Sequence, residues 1–169
     1  MKQIFLICAL IVGAMLNLSA QNEPYKIASL ENVSKWGGNC DYDTETCTAY
    51  FTGKYDRWFD IPGVQGDLTD HSKVQVDVLE SNVILKFVVR YMDENNERKE
   101  QVVATLYGQM GNRISKKKTI KLDLAGENAK YAHILKNVVG IRVSMGKPVE
   151  DVEEGEEWFC HFGTQFIIK

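Results

Sequence analysis

The fold is decided by the stretch SKVQVDVLESNVILKFVVRY, which spans residues 72–91. Its first half alternates valines with Gln75 and Asp77, a period of two that is typical of a strand with one buried face. Its second half places apolar side chains on one face and Lys86 and Arg90 on the other. We therefore predict two consecutive β-strands here, each with one face toward the core.

The remainder of the chain repeats this pattern, with Gly, Asn and Asp residues between the β-like segments. The predicted strands cover residues 48–55, 72–80, 83–91, 101–107, 117–124, 138–145 and 158–168, and a further one lies around 25–30. Many short alternating strands predict an all-β fold in which two antiparallel sheets pack face to face or close into a barrel.

The connections favour one arrangement of these strands. Only Ala125 to Lys136 has helical character, and we expect one or two turns there that cross between strands. This crossover and the link from Gly108 to Lys118 separate the strands into blocks, as long connections between sheets do. The pattern favours a β-sandwich of the jelly-roll type with about eight antiparallel strands.

Length and charge exclude several classes of protein. The chain has 169 residues, which suits one domain of ordinary size. It carries 20 Lys and Arg against 23 Asp and Glu, a net charge of −3. A mildly acidic chain lacks the basic patch of nucleic-acid-binding proteins, so we expect no nucleic-acid partner.

The first twenty residues have the layout of a secretory signal peptide. A short basic start precedes the apolar run Ile4 to Leu16, and small residues at Ser19 and Ala20 precede Gln21. We predict a signal peptide over 1–20, a single β-sandwich domain over 21–169, and a secreted or periplasmic protein without a membrane anchor after cleavage. A transmembrane anchor is the alternative, but the apolar run is short for a span and no basic residues follow it.

Export allows disulfides to form, and three cysteines follow the predicted signal peptide. An odd number permits at most one internal pair. Cys40 and Cys47 enclose a polar stretch that suits a tight loop, and we predict a disulfide between them. The alternatives are free thiols, or a pair between Cys160 and one of the other two.

Several segments match the strand motifs of one family. They are WFDI at 58–61, DLTDHSKV at 67–74, LKFVVRY at 85–91, TIKLDL at 119–124, VVGIRV at 138–143 and the closing strand at 162–168. With these segments the chain resembles the galactose-binding-domain-like jelly rolls, and more narrowly the carbohydrate-binding-module type common in exported proteins of Bacteroidetes. The resemblance covers residues 49–168 and implies a jelly-roll fold first and a glycan ligand second.

The resemblance also implies a structural calcium ion, which such sandwiches often carry. Calcium binds several oxygen ligands from carboxylates and carbonyls. Asp41, Asp43 and Glu45 alternate between the first two cysteines of the mature chain, and Asp67 with Asp70 is a second choice. The acidic run at 150–157 is interpreted as a solvated loop, with cation binding as the alternative.

A carbohydrate site needs aromatic rings that stack on the C–H faces of a sugar and polar groups that bind its hydroxyls. The aromatic residues cluster early in this chain, and the predicted ligand-binding residues are Trp36, Tyr42, Tyr55, Arg57 and Trp58. Neighbours on a strand point to opposite faces, so one of Trp58 and Phe59 is expected to face the core.

Two further pairs are weaker candidates. Arg90 and Arg142 lie opposite the apolar faces of their strands, where they would bind the hydroxyls or carboxylates of a glycan or remain solvated. Trp158 and His161 stand three residues apart on the last strand and so point to opposite faces. We interpret them as a packed tryptophan and a surface histidine.

The sequence carries no hydrolase motif, and its three histidines are isolated. The predicted function is therefore that of an exported, non-catalytic domain that recognises a polysaccharide or other glycan. The first alternative is a structural or adhesive sandwich that binds an exported protein partner. The second is an atypical glycan-processing enzyme, which would need two facing carboxylates.

Overall fold

The computed structural model describes residues 26–29, 38–43, 45–46, 48–53, 57–106 and 113–169. Within these ranges the chain forms ten strands. They are β1 (Lys26–Ser29), β2 (Asp41–Asp43), β3 (Thr48–Thr52), β4 (Trp58–Ile61), β5 (Lys73–Ser81), β6 (Val83–Met92), β7 (Arg98–Leu106), β8 (Lys118–Asp123), β9 (Val138–Pro148) and β10 (Phe159–Ile168).

The strands form two antiparallel sheets. The six-stranded sheet has the order β2-β3-β10-β5-β8, and β1 pairs with the C-terminal part of β10. The four-stranded sheet has the order β4-β9-β6-β7. This confirms the predicted all-β jelly-roll sandwich. The structure adds the short strand β2, which is too brief for a period of two to stand out in the sequence.

A cluster of phenylalanines fills the space between the two sheets. The Phe59 ring from β4 lies 5.5 Å from Phe51, 5.3 Å from Phe162 and 5.4 Å from Phe166, between ring centroids. All four side chains are fully buried. Because Phe59 faces this core, strand alternation turns Trp58 outward, as expected for one of the two neighbours.

The last strand contains a bulge between Phe162 and Phe166, two aromatic residues on its core face. Phe162 pairs with Val78 and Phe166 with Val76, so residues 163–165 stand opposite Asp77 alone. A Cβ atom at Gly163 would lie 2.7 Å from the Cβ of Asp77, closer than any side chain tolerates. The bulge therefore requires glycine at this position.

The predicted crossover links the two sheets. Two short 3-10 segments, Glu127–Ala129 and Ala132–Asn137, lead from β8 in one sheet to β9 in the other. Ile134 and Leu135 bury their side chains and anchor this connection to the core. Within the described ranges no helix is long and apolar enough to cross a membrane.

The acidic run between β9 and β10 is a structured loop that an arginine holds in place. Arg113 Nη1 and Nη2 donate to the two carboxylate oxygens of Glu156 at 2.7 and 3.0 Å, and Nε donates to Asp151 at 3.3 Å. Hydrogen bonds from Arg113 lower the pKa of Glu156 to about 2. The buried Asn82 donates to the backbone carbonyl of Glu157 at 2.8 Å. The Arg113 guanidinium thus provides the positive charge that pairs with the acidic residues of this loop.

The structure describes two of the three cysteines that follow the predicted signal peptide. Cys40 and Cys160 carry free thiols, and Cys47 lies outside the described residues. The predicted Cys40–Cys47 bridge therefore stays a prediction.

Cys160 belongs to the core. Its side chain is fully buried, and burial raises the pKa of its thiol to about 12. Its neighbour His161 points to the outer face of the six-stranded sheet, where it is half-exposed. These two adjacent residues point to opposite faces of the strand, so they do not act as a nucleophile and its base.

Candidate functional site

The predicted ligand residues fall in two places. Trp36 and Tyr55 lie outside the described residues. Arg57 and Trp58 lie at the edge strand β4 of the four-stranded sheet, whereas Tyr42 lies on β2 of the six-stranded sheet. The structure therefore keeps Arg57 and Trp58 together and places Tyr42 on the other sheet, opposite the buried Ala49, where it packs against the core.

Trp58 is held by the chain segment that precedes β2. The backbone N–H of Trp58 donates to Asn39 Oδ1 at 2.8 Å, and the N–H of Asn39 donates to the carbonyl of Trp58 at 3.0 Å. Gly38 pairs with Phe59, and a Cβ atom at Gly38 would lie 2.4 Å from the Trp58 carbonyl oxygen. Only glycine permits this close approach, which fixes the backbone beneath the tryptophan.

Strand register gathers charged residues beside this tryptophan. Asp60 pairs with Arg142 across β4 and β9, and Arg90 pairs with Glu100 across β6 and β7. All four side chains point away from the core, on the same face as Trp58. We call Trp58, Asp60, Arg90, Glu100 and Arg142 the Trp58 face.

Asp60 is the centre of the Trp58 face. Arg142 Nε donates to Asp60 Oδ1 at 2.9 Å, and Arg90 Nη1 donates to Asp60 Oδ2. The guanidinium carbon of Arg142 lies 3.8 Å from the ring centroid of Trp58, which is a cation–π contact. A single carboxylate thus holds two guanidinium groups, and one of them lies over the indole.

Some guanidinium donors on this face have no acceptor at hydrogen-bonding distance in the part of the chain that the structure describes. Glu100 Oε1 lies 3.6 Å from Arg90 Nε and 3.7 Å from Arg142 Nη1, which are ion-pair distances beyond a hydrogen bond. Arg90 Nε is buried, and no described residue accepts a hydrogen bond from it. The Arg90 side chain is 10% exposed, whereas that of Glu100 is 50% exposed.

An open groove of about 380 Å³ runs beside this face. Its lining includes Arg57, Trp58, Lys86, Glu100 and Arg142. Arg57 is fixed at one end, because its Nε donates to the carbonyl of Thr52 at 3.0 Å and its Nη2 lies 3.4 Å from Asp41 Oδ2. The groove combines an aromatic ring with three cations and one carboxylate.

A second groove, of about 580 Å³, lies on the outer face of the six-stranded sheet. We call it the Tyr50 groove, and Tyr42, Thr48, Tyr50 and His161 are among its lining residues. The rings of Tyr50 and His161 meet edge to face with centroids 5.5 Å apart, and His161 Nδ1 lies 2.8 Å from Glu80 Oε1. The tryptophan before β10, Trp158, packs against the core as expected.

Two of the carboxylates proposed for calcium, Asp43 and Asp67, are engaged in their own turns. Asp43 accepts hydrogen bonds from the Glu45 N–H at 2.8 Å and the Thr46 hydroxyl at 2.7 Å, and these contacts lower its pKa. Asp67 accepts from the hydroxyl and the N–H of Thr69 in the same way. In the part of the chain that the structure describes, no group of three or more His, Cys, Asp or Glu residues is placed to hold a metal ion.

The sequence predicts part of the Trp58 face. Trp58 is among the predicted ligand-binding residues, and Arg90 and Arg142 are weaker candidates. Asp60 and Glu100 are not among the predicted residues, because their roles depend on the β4–β9 and β6–β7 registers, which a single sequence does not display.

No model of a known protein family and no curated protein matches the chain. The solved structures that are similar to it include three at 10% identity. Particles derived from infectious bursal virus (T=1) give a TM-score of 0.38, with 86% of this chain and 32% of that chain covered. Infectious bursal disease virus, Gt strain, gives 0.37, with 80% and 33% covered.

The third is the CBM22-2 xylan-binding domain of Paenibacillus barcinonensis Xyn10C, with a TM-score of 0.36 and coverage of 85% of this chain and 99% of that one. The chain spans about a third of the length of the two viral chains. Likenesses of this size carry no argument about family, ligand or assembly. The fold rests on the strand pairings described above.

Proposed function

We propose that this protein is an exported, non-catalytic carbohydrate-binding domain that binds a glycan on the Trp58 face. The observation that carries the proposal is the position of the Trp58 indole, which lines an open groove beside the Arg142 guanidinium, held by Asp60, and the carboxylate of Glu100. Sugars are recognised by this combination, since the ring contacts C–H groups and the charged groups bind hydroxyls. Export is inferred from the layout of residues 1–20.

Rigidity supports the same proposal. The side chains of the Trp58 face stand on β4, β6, β7 and β9, which are paired along their length. Asn39 and Gly38 fix the backbone at Trp58, and Asp60 fixes two guanidinium groups. A preformed site loses little conformational entropy when the ligand binds, which favours affinity.

The Trp58 face also bears on the enzymatic alternative, because Asp60 and Glu100 are two carboxylates on one face. A glycosidase needs one carboxyl group that can deliver a proton to the glycosidic oxygen. Both oxygens of Asp60 accept hydrogen bonds from Arg90 and Arg142. A carboxylate committed to two guanidinium groups is better suited to fixing a binding surface than to proton transfer.

The test is affinity electrophoresis of the purified protein in gels that contain soluble polysaccharides, both neutral and acidic. We expect at least one glycan to retard the protein and the Trp58→Ala variant to bind it about tenfold more weakly, which corresponds to the loss of one aromatic contact. Tyr50→Ala is the matched control, because it removes an aromatic ring from the opposite sheet. This variant should be retarded as strongly as the wild type.

Each other result would contradict part of the proposal. If no polysaccharide retards the wild type, carbohydrate binding is wrong, and the protein-binding alternative takes its place. If Tyr50→Ala loses binding and Trp58→Ala keeps it, the ligand occupies the Tyr50 groove. Release of reducing ends from a bound polysaccharide would contradict the non-catalytic assignment. Circular dichroism of both variants confirms that each is folded.

A further inference from the structure

We propose that the glycan bound on the Trp58 face is acidic, and that its carboxylate or sulfate group takes the place of the Glu100 side chain between Arg90 and Arg142. This inference rests on the proposed function, because it names the class of glycan for the same site. Two observations support it. Guanidinium donors on this face lack an acceptor among the described residues, and Glu100 makes only long ion pairs with the two arginines.

Cationic donors outnumber acceptors on this face. Asp60 already accepts hydrogen bonds from Arg90 and from two nitrogens of Arg142. Arg142 Nη1 and the buried Arg90 Nε keep no acceptor at hydrogen-bonding distance among the described residues. A buried donor without an acceptor is costly, so a ligand oxygen that satisfies these groups gains more there than on an ordinary surface.

Glu100 is held loosely enough to be displaced. Its carboxylate lies 3.6 and 3.7 Å from the two guanidinium groups, its side chain is 50% exposed, and β7 is the last strand in the order of the four-stranded sheet. Ion pairs of this kind contribute little to stability, so moving Glu100 into solvent costs little. The anionic group of a ligand is not attached to the strand backbone as the Glu100 carboxylate is. It would therefore approach the same nitrogens to hydrogen-bonding distance.

The charge of the surrounding surface points the same way. Among the described residues that line the groove are the cations Arg57, Lys86 and Arg142 and the carboxylate of Glu100, although the chain as a whole has a net charge of −3. Lys86 pairs with Ser144, which in turn pairs with Trp58, so its exposed side chain lies in the same row as the indole. A cationic groove on an acidic protein favours an anionic ligand.

The experiment measures binding of the purified protein to a soluble polyuronate, to the same polymer after its carboxylates are reduced to alcohols, and to a sulfated glycan. We expect the acidic polymers to bind and the carboxyl-reduced polymer to bind at least about tenfold more weakly, the value of one charge-assisted contact. The affinity should fall as salt is raised. The two acidic polymers distinguish a carboxylate ligand from a sulfate ligand.

Two variants and one control variant locate the contact. Arg142→Gln should weaken binding of the acidic polymer about tenfold, whereas Lys121→Gln, an exposed cation on the six-stranded sheet, should leave it unchanged. Glu100→Gln removes the competing carboxylate without touching Asp60, and it should tighten binding several-fold. Glu100→Gln keeps the inference testable if Arg142→Gln does not fold.

The outcomes separate this inference from the proposed function. Equal binding of the native and carboxyl-reduced polymers, or weaker binding by Glu100→Gln, would overturn the inference. If only neutral glycans bind, and Trp58→Ala abolishes their binding, the proposed function stands and the acidic ligand is wrong. If no glycan binds, both are wrong.

Discussion

At the scale of the residue, Asp60 decides whether the Trp58 face keeps its shape. Arg90 is 10% exposed and has Asp60 as its nearest counter-charge, and Arg142 donates to the same carboxylate. A buried guanidinium without a counter-charge is costly, because desolvation is no longer offset. Asp60 therefore contributes both to stability and to the geometry of the site, whereas Trp58 and Glu100 are the residues that we expect a ligand to contact or displace.

Asp60→Asn should lower the free energy of unfolding by about 2 kcal/mol, because it removes the charge that two guanidinium groups share. The matched control is Asp77→Asn, a strand aspartate whose partners are Thr119 and Lys117 on the exposed side of the six-stranded sheet. It should cost less than about 1 kcal/mol. Urea denaturation of the three proteins measures both values. Equal losses in the two variants would show that the Asp60 network adds nothing beyond an ordinary surface pair.

At the scale of the element, the bulge in β10 sets which residues of the strand face the core and which partners they meet in β5. Residues 163–165 stand opposite Asp77 alone, so Phe162 pairs with Val78 and Phe166 pairs with Val76. Both phenylalanines are buried, whereas Thr164 between them is exposed. In a regular strand Thr164 would share the core face of the two phenylalanines, and the residues beyond Phe162 would meet other partners in β5.

Gly163→Ala should destabilise the protein by about 2 kcal/mol, because the added methyl group overlaps Asp77 and the bulge has to shift. Gly140→Ala is the matched control in β9, where the new Cβ atom would meet Arg90 at an ordinary 3.8 Å. That variant should change the free energy of unfolding by less than about 0.5 kcal/mol. Thermal unfolding of the two variants compares them directly. A Gly163→Ala protein as stable as Gly140→Ala would mean that β10 follows another register.

At the scale of the whole molecule, the sequence predicts the strands better than it predicts their partners. The valines of β5 and the apolar face of β6 alternate with polar residues, and that local pattern is sufficient to identify each strand. The Trp58 face combines residues 58, 60, 90, 100 and 142, which only the pairing of four strands brings together. Trp58 could be proposed from its residue type, but its link to Glu100 could not.

Acid should destabilise the whole sandwich, because the pKa values of its perturbed carboxyl groups are lowered. Hydrogen bonds lower the pKa of Asp43, Asp67, Asp77 and Glu156 from the ordinary value of each group. A carboxyl group with a lowered pKa in the folded state stabilises it above the pKa of the unfolded chain. That stability is lost as the pH falls through the folded-state pKa. For Glu156 the loss extends from its ordinary 4.5 down to about 2.

Glu156→Gln tests how much of this acid sensitivity the Arg113 contact carries. The variant should unfold at a lower urea concentration than the wild type at pH 7, since a neutral amide binds the guanidinium less strongly than a carboxylate does. The two midpoints should converge as the pH approaches 2, where the wild-type carboxylate becomes protonated. Glu94→Gln, a change at an exposed turn residue between β6 and β7, should follow the wild type at every pH. A constant gap between the Glu156→Gln and wild-type midpoints from pH 7 to 2 would show that the loop is held by packing rather than by this ion pair.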